Sequence, residues 1–131
     1  MADFGGSIRS LMIEWLMQIG SPTQPASTHW ITFYTVDPAG SGASNEITKI
    51  TRTQHDSWDN NGTADDGEVA NVGAGESAAA TGGGSENITH FGVWTLVSGG
   101  TFLFGGSCTN VTINDGDTVS WADGVLTATI S

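Results

Sequence analysis

The stretch Asn87–Ile130, NITHFGVWTLVSGGTFLFGGSCTNVTINDGDTVSWADGVLTATI, constrains the fold more than any other part of this 131-residue chain. Short runs of β-branched and aromatic residues alternate with Gly, Asn and Asp clusters, the pattern of strands joined by tight turns. Asn87–Thr95 and Thr101–Gly106 are expected to form a hairpin across Val97-Ser98-Gly99-Gly100. Thr109–Ile113 and Thr118–Trp121 flank Asn114-Asp115-Gly116-Asp117, and Asp123-Gly124 turns the chain into Val125–Ile130. Asp-Gly pairs supply the positive φ that tight hairpins demand. Strands at this spacing predict an all-β fold, a single antiparallel β-sandwich or jelly-roll-like domain. The run holds almost no ionisable side chain capable of chemistry, so it is read as packing.

Upstream the pattern changes twice. Ser7–Ile19 reads as a helix within 7–20, because Ile8, Leu11, Met12, Trp15, Leu16 and Ile19 recur at the spacing of one helical face. Gly20, Ser21 and Pro22 stop it. Ile13 and Met17 lie on a second face, so the helix is apolar on most sides and expects either deep burial or another chain. Trp30–Val36 reads as a strand bounded by Asp37-Pro38-Ala39-Gly40, and Ile47–Thr53 as a weaker strand at an edge. Residues 54–84 are polar and rich in Ala and Gly, and read as an extended loop with one short strand. Neither a second domain nor an internal repeat is visible, and residues 1–131 form one unit of ordinary single-domain size.

Composition narrows the function. Fourteen acidic residues face only Arg9, Lys49 and Arg52, a net charge of −11. Three basic residues cannot neutralise a run of phosphates, which excludes direct nucleic-acid binding, and an anionic membrane surface by the same arithmetic. The acidity favours solubility and basic or cationic partners. The N-terminal apolar run is interrupted by Glu14 and is too short to span a bilayer. Cys108 is alone, so no intrachain disulfide forms, and with no secretory signal the expectation is assembly in a reducing cytoplasm.

Few residues suggest chemistry. Within Ser57–Glu68, Asp59, Asn61, Asp65 and Glu68 fall at the third, fifth, ninth and twelfth positions of an EF-hand-like loop around Gly62. The first ligand position is Ser57 and no helices flank the loop, so a polar surface loop is favoured over a calcium site. His29, His55 and His90 lack ligand spacing, and His90 reads as a satisfied structural imidazole. Cys108 reads as a small hydrophobe. Asp65 with Asp66, and Asp115 with Asp117, could suggest a glycosidase pair, but Asp is favoured in turns for its own backbone hydrogen bonds. Trp30, Trp94 and Trp121 are assigned to the core. Trp58, in the polar loop, is read as an anchor for a partner or ligand. No cofactor is called for, and no nucleophile–base or acid–base pair supports an enzyme.

The segments ITHFGVWTLV (residues 88–97), SGGTFLFGG (98–106) and INDGDTVSWADGVLTATI (113–130) resemble a family of small virion proteins of tailed bacteriophages, described as tail-fibre-like or as capsid decoration (cement) proteins. The N-terminal apolar helix and WITFYTVDP (30–38) leading to Glu46 extend the resemblance, whereas Gln54–Gly84 departs from it. The resemblance implies a non-enzymatic β-domain on the virion surface that bridges shell subunits. Its implied partners are the major capsid protein and copies of itself, as a homo-oligomer and often a trimer. Ile13, Met17 and Trp58 are the expected partner contacts. A tail- or fibre-associated protein contacting the host is the alternative, and a calcium- or carbohydrate-binding module is another.

Overall fold

The computed structural model describes residues 3–17, 19–20, 27–42, 44–59 and 68–129. Ten strands and one α-helix follow in the order β1 (Asp3–Phe4), α1 (Gly6–Met17), β2 (Trp30–Tyr34), β3 (Thr53–Gln54), β4 (Trp58–Asp59), β5 (Glu68–Asn71), β6 (Gly75–Glu76), β7 (Glu86–Trp94), β8 (Phe102–Ile113), β9 (Ser120–Trp121) and β10 (Thr127–Thr129). They build three antiparallel sheets: β1-β8-β7-β2-β3, β10-β5-β4 and β6-β9. The all-β, sandwich-like architecture predicted from the turn spacing is present.

The expected hairpin between β7 and β8 forms the middle of the large sheet, and Gly99 and Gly100 both adopt positive φ in its turn. Thr101–Gly106 and Thr109–Ile113, read as separate strands, are one strand, β8. His90 pairs with Ser107 and Ile88 with Val111, so β7 advances two residues while β8 advances four. This bulge around Cys108–Asn110 takes up the extra residues without breaking the ladder. The edge strand read over Ile47–Thr53 is confined to Thr53–Gln54. Ahead of it, Ile47, Lys49 and Ile50 are buried in an irregular segment. The stretch read as a loop with one strand carries β4, β5 and β6, because its Val69, Ala70 and Trp58 add to the core.

Strand alternation sorts the large sheet into two covered faces. On one face Ile31, Phe33, Ile88, Phe91, Val93 and Phe104 meet Val69, Trp121, Leu126 and Ala128 of the smaller sheets and their connections. On the other, Tyr34, Trp94 and Phe102 pack together; Tyr34 and Phe102 meet edge to face at 6.5 Å between ring centroids. Gly92 sits between Thr32 and Gly105 in the register, and a Cβ there would lie 2.6 Å from the Tyr34 ring. The Tyr34 hydroxyl accepts a hydrogen bond from Trp94 Nε1 at 2.8 Å and donates to the Gly42 carbonyl at 3.1 Å. Burial pushes this phenol up to about 12, so it remains a donor.

Two cations lock the periphery. Arg52 stacks 4.0 Å over the Trp94 ring and donates two bonds to Glu46, at 2.8 and 2.9 Å. Its third arm donates to the Leu96 and Gly99 carbonyls in the β7–β8 turn. Lys49, with 4% of its side chain exposed, donates to Asp115 at 2.8 Å and to the Thr81 carbonyl. Asp115 also accepts from Gly83 N–H, so the acidic turn is tied to the Gly82-Gly83-Gly84 bend.

Arg52→Met is expected to cost about 2–3 kcal/mol in chemical denaturation, below the ~3–5 kcal/mol of a fully buried pair because Glu46 remains 31% exposed. For Glu46, burial alone works to raise the carboxyl, but the Arg52 hydrogen bonds and charge hold it below the usual range. Asp115 is held low by Lys49 and then by Gly83 N–H. Both folded values are depressed, so their stabilisation is present above an unfolded carboxylate value of about 4 and lost as pH falls through the lower folded values. The thermal midpoint should therefore fall on acidification below about pH 4, and less steeply in Glu46→Gln.

Candidate interaction surface

Helix α1 is the most apolar exposed feature among the described residues. Arg9 N–H donates to the Gly5 carbonyl at its start, and Gly20 follows its end at positive φ. The helix packs principally against β8. Ile13, Leu16 and Met17 are 60%, 73% and 64% exposed, and Met12 and Ile19 are open as well. Met12, Leu16 and Ile19 share one helical face by periodicity, and in the structure they are exposed together with Ile13 and Met17 of the second face. A helix of this length is marginal in water without packing, and this much open apolar surface makes α1 the candidate interaction surface.

A second surface lies beyond the β8 bulge. A cleft of about 480 Å³ opens between Cys108–Val111 of β8 and the segment Thr118–Ala122 that contains β9. Phe33, Ile88 and Trp121 lie at its base among the core residues, and half-exposed Val111 and Val125 stand at the open side. None of its lining side chains is charged. Periodicity did not find this cleft, because it depends on the two extra residues in β8. The signal in the sequence is the Gly105-Gly106-Ser107 interruption, which reads equally well as a strand end.

Trp58 lies on β4 and is half-buried rather than free in a loop. Its Nε1 donates to the His55 carbonyl at 2.8 Å, and its ring meets Phe104 edge to face at 5.3 Å. His55 stands edge-on to both Trp58 and Trp121, and His29 to Trp58. This indole therefore joins β4 to the core, and its surface for a partner is reduced accordingly.

The proposed oxygen loop is only partly visible. Asp59 is on β4 and Glu68 begins β5, facing each other's strand across a hairpin, whereas Asn61 and Asp65 lie outside the described residues. Among the described residues no group of three or more His, Cys, Asp or Glu could hold a metal. Asp117 accepts from Asn114 N–H of its own bend, whereas Asp115 accepts from Gly83 N–H of the distant glycine bend and pairs with Lys49. His90 Nδ1 lies 2.8 Å from the Thr89 hydroxyl.

Cys108 is half-buried at the wall of the cleft, and desolvation pushes its thiol up to about 11. At pH 8 roughly one thiol in a thousand would be ionised. Its alkylation rate is expected to rise with pH up to about 11, which a pH series with iodoacetamide would show.

Among the described residues the distinctive surfaces are the apolar face of α1 and the uncharged cleft beside β8. The model of a family described as podophage GP4 fiber I protein gp80 matches residues 6–129. No curated protein matches the chain at a significant level. The family match runs from the first residue of α1 to the last of β10, and this chain belongs to the Gp80 family of podophage fibre proteins, structural components of the phage virion.

Proposed function

We propose that this chain is a non-enzymatic subunit of the fibre apparatus of a tailed phage, joined to other virion subunits through α1. The family match over residues 6–129 carries this reading, because its description names a fibre protein. The structure adds a physical reason. The β-domain encloses its own core and pairs Lys49 with Asp115 and Arg52 with Glu46, while Ile13 and Met17 remain on the outside.

Capsid cementing requires the same kind of module, a small β-unit that bridges neighbours in many copies. It rests on the resemblance around Ile88–Val97, whereas the fibre reading has the family description behind it as well. In both, copies of this chain are partners, and burying each of Ile13 and Met17 would contribute about 1.5–3 kcal/mol. Repetition of such contacts in a symmetric particle raises their combined strength through effective concentration.

Immunogold labelling of intact virions is expected to mark the tail or its fibres, with a copy number well below that of the major capsid protein. Labelling over the whole shell at a comparable copy number would sink the fibre assignment. In light scattering the wild-type chain should associate, and Ile13→Asp and Met17→Asp should lower its mass without changing its β circular dichroism. A monomeric wild type across accessible concentrations would remove α1 as a self-contact.

A further inference from the structure

We propose that the cleft between β8 and β9 receives helix α1 of a second copy of this chain. The inference rests on the reading of α1 as an attachment element and names the surface that it meets.

The argument starts from charge. A chain of net charge −11 repels its copies except where the two approaching surfaces lack negative charge. The cleft lining carries none. Helix α1 carries one Arg and one Glu, Arg9 and Glu14, so it is neutral as a unit. A helix placed on this cleft therefore brings no carboxylate of the lining against Glu14, so the contact avoids the repulsion between like charges that the rest of the acidic surface imposes.

Shape supports the pairing. Ile13, Leu16 and Met17 stand at i, i+3 and i+4, the spacing of the anchors in helix-in-groove recognition. They are the three most exposed side chains among the large apolar residues of the described chain. The cleft, about 480 Å³, is open at Val111 and Val125 and apolar at Phe33 and Ile88 beneath. A cleft of this size accommodates a few side chains rather than a whole helix, so the anchors enter and the helix lies across the rim.

The chain's own helix does not fill the cleft. It follows directly on β1, which pairs with Phe104 and Gly105, and its anchors remain exposed. Each copy then offers one helix and one cleft. This contact is heterologous, and it closes into a ring or extends along an axis according to the rotation between copies. Either outcome suits a fibre.

The test uses the full chain in light scattering and analytical ultracentrifugation. Val125→Asp and Val111→Lys alter exposed positions at the cleft with opposite charges, so a loss common to both reports the apolar contact. Both variants should retain the wild-type circular dichroism and melting profile and lose association. Met17→Asp should lose it too. An equimolar mixture of Met17→Asp and Val125→Asp should recover a dimer, because the mixture retains one intact helix facing one intact cleft. If the cleft variants associate like wild type while Met17→Asp does not, the cleft assignment fails and α1 stands as the contact. If all variants associate normally, the reading of α1 fails as well. Loss in both single variants with no dimer in the mixture overturns the helix-to-cleft pairing.

Discussion

The antiparallel pairing of β7 with β2 on one side and β8 on the other sets the positions of the other elements. In that register Gly92 lies between Thr32 and Gly105, leaving room on one face for the Tyr34 and Phe102 rings. The same register directs Phe91 and Val93, both 0% exposed, to the opposite face. A one-residue slip would exchange the two sets and place rings against a face with no space for them. Both faces of the central strands are thus covered, as in a sandwich, and the smaller sheets need only close over the Phe91 side.

Charge is used sparingly and for attachment within the chain. Arg52 gathers Glu46, Trp94 and two turn carbonyls around one guanidinium, a role its planar fork suits better than an ammonium would. Lys49 is nearly buried and ties the Asp115 bend to the segment after β6. Two of the three basic residues are therefore committed internally. Arg9 of α1 is exposed, but one cation makes no patch, and with a net charge of −11 apolar surface is the better ground for contact between copies.

This division fits a fibre component. Its most exposed apolar side chains stand on α1, and Val111 and Val125 add to them at the cleft past the β8 bulge. Contacts of this kind gain strength from repetition in a symmetric assembly.

The existence of strands, their turns and the all-β class were legible in the chain, since period-two alternation and Asp-Gly or Gly-Gly turns are local properties. The apolar excess of α1 was legible for the same reason, but only the structure shows that Ile13 and Met17 are exposed rather than buried within the chain. Tertiary structure decided what depends on partners distant in sequence. Trp58 looks like a loop residue by its neighbours, but Phe104 and the His55 carbonyl hold it against the core. Glu68–Asn71 and Gly75–Glu76 look like loop by composition, but they pair as strands with β10 and β9. The cleft is lined by the bulged stretch Cys108–Val111 of β8, which no periodicity distinguishes from a strand break. Local pattern specifies which backbone states are cheap, whereas burial and register depend on long-range pairing, and those placed the surfaces of this protein.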